Sequence, residues 1–119
     1  MTENGAALIA AERQRQINEE GYLPHHDLFH DDLSLMKAAD EYLSVAEYVA
    51  KYGHPITCED WLNIEDDHGF QASRWPWAAE HFKPAPEPIR NLVKAGALIA
   101  AEIDRLQRAA LNTESEVAP

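Results

Sequence analysis

The chain has 119 residues, 45% of them hydrophobic, and a formal net charge of -11. Such a length predicts one domain with a core of its own, and such a composition excludes wholesale disorder. The charge argues against direct contact with nucleic-acid phosphates, no apolar run approaches the roughly 20 residues of a membrane helix, and the single cysteine, Cys58, predicts a reducing, cytoplasmic setting.

The first predicted helix runs from about Asn4 to Glu20. Leu8, Ile9 and Ile17 are its best apolar positions, and Glu12, Gln16, Glu19 and Glu20 form a polar stripe at helical spacing. Thr2 or Asn4 caps its start, and Gly21 stands just past its end. The next stretch, "GYLPHHDLFHDD", holds three histidines and three aspartates with no lysine or arginine. Asp31 or Asp32 then makes a good N-cap for a second helix, whose buried face is expected at Leu35, Met36, Ala39, Tyr42, Leu43, Ala46 and Val49. Gly53 and Pro55 close it. Thr57 and Asp60 are spaced as in a capping box and open a short helical turn anchored by Trp61, Leu62 and Ile64.

Residues 65–88 read as irregular, with "RWPW" and a proline-rich run ending at Pro88. The final helix starts near Pro88 or Ile89 and continues to about Leu111, with Leu92, Ala95, Gly96, Ile99, Ile103 and Leu106 along one apolar face. No strand is evident. The expected class is all-α: three long helices, a short one and an irregular Trp/Pro-rich segment. They form one domain over residues 1–111, with a flexible tail at 112–119.

Charge is unevenly placed. Glu19, Glu20, Asp27, Asp31 and Asp32, with Glu59, Asp60, Glu65, Asp66 and Asp67, make up 10 of the 21 acids, in two segments without a base. Fields of that sign suit cations or a basic protein surface. His26, Asp27, His30 and Asp31 carry nitrogen and oxygen donors of the kind that hold a divalent metal; the plainer expectation is a capping loop. Glu102 lies on or beside the apolar face of the last helix, where a carboxylate needs a partner: an arginine such as Arg13 or Arg90, or a metal. Trp75 and Trp77 are candidate anchors, for the core or for a partner. Cys58 has no basic neighbour to lower its pKa and reads as packing.

The stretches "AAERQRQINEEGY" at 10–22, His26, Asp27 and His30, "WPW" at 75–77 and "LVKAGALIAAEIDRLQRA" at 92–109 resemble a family of small uncharacterised bacteriophage and prophage proteins. The resemblance implies a phage setting but no agreed activity. The family loop is expected to carry a second acid where this chain has Leu28. The helical pattern and final helix are also distantly similar to phage all-α nucleotide pyrophosphohydrolases.

Two functions follow as expectations. The first is an acidic accessory protein that binds a basic protein surface, such as the nucleic-acid site of a host-defence or CRISPR complex, through Asp27, Asp31, Asp32, Asp66, Asp67, Trp75 and Trp77. The alternative is a nucleotide pyrophosphohydrolase dependent on magnesium or manganese. Glu12, Glu19, Glu20 and Glu102 would then serve as ligands or base, with His26, Asp27 and His30 nearby. Neither needs direct nucleic-acid binding or a membrane, and a homo-oligomer is compatible with both.

Overall fold

The computed structural model describes residues 3–20, 33–64 and 75–117, with the side chains of Glu20 and of 112–117 left aside. The protein is all-α: α1 (Gly5–Glu20), α2 (Ser34–Tyr52), α3 (Cys58–Leu62) and α4 (Pro88–Val117), with a 3-10 turn at Ala79–His81. Among the described residues there is no strand, and no helix is long and apolar enough to cross a membrane. The long helix α4 packs on α2 along one side and on α1 along another.

The helix ends follow local chemistry. Asn4 Oδ1 accepts from the Ala7 N–H at 2.9 Å and caps α1. Thr57 Oγ1 accepts from the Asp60 N–H at 3.0 Å and caps α3. Gly53 adopts a left-handed φ of 75°, and its N–H donates to the Val49 carbonyl at 2.9 Å, so glycine ends α2 where a side chain would be strained. The start of α2 differs from expectation. It opens at Ser34, with Leu33 in the cap position at a left-handed φ of 69° and no side-chain cap bond, whereas the expected caps Asp31 and Asp32 lie outside the described residues. At the other end of the chain, α4 runs on to Val117, past the expected Leu111.

The core is built from Leu35, Ala38, Ala39, Tyr42, Val45 and Val49 of α2, Trp61 of α3, Phe82, and Ala95, Leu98 and Ala101 of α4. Two residues expected on the buried face of α2, Met36 and Leu43, are instead about 40% exposed.

The larger departure concerns α4. Most of its large apolar residues are not buried: Ile89, Leu92, Ile99, Ile103 and Leu106 are 47–65% exposed, whereas Leu98 and Val93 lie in the interior. Beside Leu98, the faces it buries carry mostly small and polar residues, among them Val93, Ala97, Ala101, Asn91, Glu102 and Arg105. α1 behaves likewise. Glu12, Arg13 and Gln16 are buried, while Leu8, Ile9 and Ile17 are only half-buried. Small residues explain the close fit. A Cβ on Gly96 would come within 2.6 Å of the Ile9 side chain, so α1 rests on α4 at a position where any larger residue would have to push Ile9 aside.

Candidate functional site

Ion pairs join α1 to α4. Glu12, almost fully buried, accepts two hydrogen bonds from Arg15, at 2.7 and 2.8 Å, and a third from Arg90 of α4. Arg15 also reaches Glu19 at 3.0 Å, and Arg13 approaches Asp104 at 3.6 Å. Burial pushes the Glu12 carboxyl up, but the Arg15 hydrogen bond and the charges of Arg90 and Arg15 together outweigh it, so its pKa lies below the usual glutamate range. A folded-state pKa below the unfolded one gives stability that is present above the unfolded value, near 4.3, and lost as pH falls through the folded one. Wild-type protein is therefore expected to lose more stability between about pH 5 and pH 3 than Glu12→Gln does. Urea midpoints measured across that range check this, and parallel curves would contradict it.

Beside this hub lies a pocket of about 270 Å³. Its cationic lining is Arg15, Lys83, Arg90 and Lys94, against the single carboxylate of Glu12. Four of the chain's 10 lysines and arginines thus face one cavity in a protein of net charge -11. Tyr42, Trp75 and Trp77 form an aromatic wall, and His81, Gln16 and Leu98 complete the lining.

The wall is held together by ring contacts and hydrogen bonds. Trp75 meets Tyr42 edge-on at 5.8 Å, Trp77 edge-on at 5.3 Å and Phe82 at 4.6 Å. Trp75 Nε1 donates to the Ala78 carbonyl at 3.0 Å. The Lys83 N–H donates to the Tyr42 hydroxyl oxygen at 3.0 Å, while Lys94 Nζ donates to the Lys83 carbonyl at 2.5 Å and sits 5.5 Å from the Tyr42 ring centre. Gln16 Nε2 donates to Glu12 at 3.5 Å, but its buried Oε1 has no hydrogen-bond partner among the described residues. A buried amide oxygen at a pocket wall is suited to a donor from a ligand.

Asn91 holds the proline-rich connection against α4. Its Oδ1 accepts from the Ala85 N–H at 2.7 Å, and its Nδ2 donates to the Ala85 carbonyl at 2.8 Å and the Glu87 carbonyl at 3.3 Å. Ala85 lies two residues past Lys83, so this clamp sets where the cationic rim begins.

The sequence-derived candidates fall into three groups. His26, Asp27, His30, Asp31, Asp32, Asp66 and Asp67 lie outside the described residues. Trp75 and Trp77 are half-buried and do two jobs, packing on the core and walling the pocket. Glu102 has an arginine partner as expected, but it is neither Arg13 nor Arg90. Arg105, one turn on, donates to it at 2.5 and 3.3 Å, and both are buried. At 100° per residue, Glu102 points roughly 160° away from the side of α4 that carries Gly96 and Asp104 toward α1. Glu102 is not among the residues that line the pocket beside Glu12. Among the described residues no three His, Cys, Asp or Glu side chains come together as a metal requires.

The pocket residues Arg15, Tyr42, Lys83, Arg90 and Lys94 were not candidates from sequence. A signal existed: between His81 and Lys94 the chain carries Lys83, Arg90 and Lys94 against Glu87 alone, a basic segment in an acidic protein. Cys58 packs against the core, partly buried. Burial, then the neighbouring Glu59, pushes its pKa up, and its sulfur lies 3.6 Å from the Ala79 carbonyl. The fold and pocket define a small all-α protein with a cationic, aromatic-walled cavity. No family model, curated protein or solved structure matches the chain.

Proposed function

We propose that this protein binds a small anionic ligand carrying a planar ring, of the nucleotide class, in the pocket between α1, α2, α4 and the Trp75–Lys83 segment. The observation that carries this reading is the convergence of four cationic side chains and three aromatic rings on one cavity of a strongly acidic chain. Guanidinium and ammonium groups suit phosphate oxygens, and indole faces suit a base. The unfilled acceptor on Gln16 suits an amine or hydroxyl of the same ligand. In the phage setting that the sequence resemblance suggests, such a protein sequesters or senses a nucleotide. The pyrophosphohydrolase alternative shares the ligand class, but its metal would depend on residues outside those described.

The test is an equilibrium titration with nucleoside mono-, di- and triphosphates, and with inorganic pyrophosphate as the ring-free control. Binding is read by calorimetry and by quenching of tryptophan fluorescence. A nucleotide is expected to bind saturably and quench, with affinity roughly 10- to 100-fold weaker in Arg90→Ala and in Trp77→Ala, since each removes a charged or stacking contact of about 1.5–3 kcal/mol. No saturable binding of any nucleotide, or wild-type affinity in both variants, would refute the reading.

A second reading rests on charge alone: the two acid-rich segments suit a basic protein surface, such as that of a nucleic-acid-binding defence complex. Lysine substitutions at Asp31, Asp32, Asp66 and Asp67 are expected to weaken such a complex and reduce its salt dependence. Unchanged affinity would dismiss it.

A further inference from the structure

We propose that α4 pairs with α4 of a second copy of this chain through its exposed apolar stripe, making the protein a two-fold homodimer. The stripe is Ile89, Leu92, Ile99, Ile103 and Leu106, each about half exposed or more. With Gly96 and Ala110 the spacing alternates three and four over three heptads, the repeat by which two helices stay in contact along their length.

Three observations point to a second copy rather than to solvent or an unrelated partner. First, the stripe is uncharged on a chain of net charge -11. The flanking positions are Ala95, Ala100, Gln107 and Ala109, together with Glu102, which Arg105 already neutralises. Two copies therefore meet there without facing like charges, which the acid-rich segments would oppose elsewhere. Second, a three-four repeat on a helix is matched by the same repeat, and a two-fold axis supplies it: residue i of one copy meets j of the other, and j meets i. Third, the area is of the right order. Five large, half-exposed side chains leave about 400–500 Å² to bury. Ala100, Ala109 and half-buried Ile9, which covers Gly96 within the stripe, add toward the roughly 800 Å² each partner buries in a standard interface.

The test is the mass of the full chain in solution, by sedimentation equilibrium from about 1 to 100 µM, the range in which a standard interface of modest affinity associates. The expected particle is twice 13.4 kDa. Ile99→Glu/Ile103→Glu is expected to dissociate at least about 100-fold more readily, and the milder Ile99→Gln/Ile103→Gln at least about 10-fold, with helical content retained because these side chains are exposed. Leu43→Glu, on the exposed part of α2, is expected to leave the dimer intact. A monomer throughout the range, or a dimer that survives both Ile99/Ile103 variants, would overturn the proposal.

Discussion

Trp61→Ala is expected to cost about 3–5 kcal/mol of stability, enough to leave much of the protein unfolded at 37 °C. Trp61 is the largest fully buried side chain, and it comes from a helix of only five residues. α3 is too short to be stable on its own. It stays in place because Trp61 inserts into the core, where its ring meets Tyr48 edge-on at 6.0 Å, and because Thr57 caps it. Removing the indole leaves a cavity that the neighbouring aromatic rings cannot collapse to fill. Trp61→Phe, which keeps part of the volume, is expected to lose less than half as much. Urea unfolding followed by circular dichroism measures both, and a loss under about 1 kcal/mol for the alanine variant would mean that α3 is not anchored in this way.

Asn91→Ala is expected to cost about 2–4 kcal/mol, because it removes three hydrogen bonds at once and strands buried peptide groups of the proline-rich connection. The effect reaches the pocket. Ala85 is held by Asn91, Lys83 is tied to Tyr42 and Lys94, and these tethers together fix the cationic rim against the aromatic wall. The same variant is therefore expected to weaken nucleotide binding about tenfold, although Asn91 is not among the lining residues. Asn91→Asp, which keeps the acceptor and loses both donated bonds, separates the two halves of the clamp. A variant that melts like wild type would show that the connection is held by packing rather than by the amide.

Much of the architecture was legible along the chain. Helical periodicity marked α1, α2 and α4, and the capping residues Asn4, Gly53 and Thr57 act as their chemistry predicts, since each satisfies backbone groups within its own turn. The need of Glu102 for an arginine was legible too, and the partner it takes, Arg105, is its neighbour three residues on in the same helix. The pocket was not legible, because its lining gathers residues from Glu12 to Leu98, and no local pattern joins Arg15 to Arg90 or Tyr42 to Lys83.

The sequence by itself determined the helices, the caps at Asn4, Gly53 and Thr57 and the apolar stripe of α4, all of which arise from interactions within a few residues. Only the tertiary structure decided which face of α4 is buried. Ranking by hydrophobicity selects the face of Leu92, Ile99, Ile103 and Leu106, yet the chain buries the faces of Val93, Ala97 and Ala101. Small side chains let α1 and α2 approach closely, and the Glu12–Arg90 and Glu102–Arg105 pairs satisfy the charges enclosed there. A helix with two faces that can pack does not reveal in its sequence which one its own chain covers, because that depends on the fit of helices distant in the sequence.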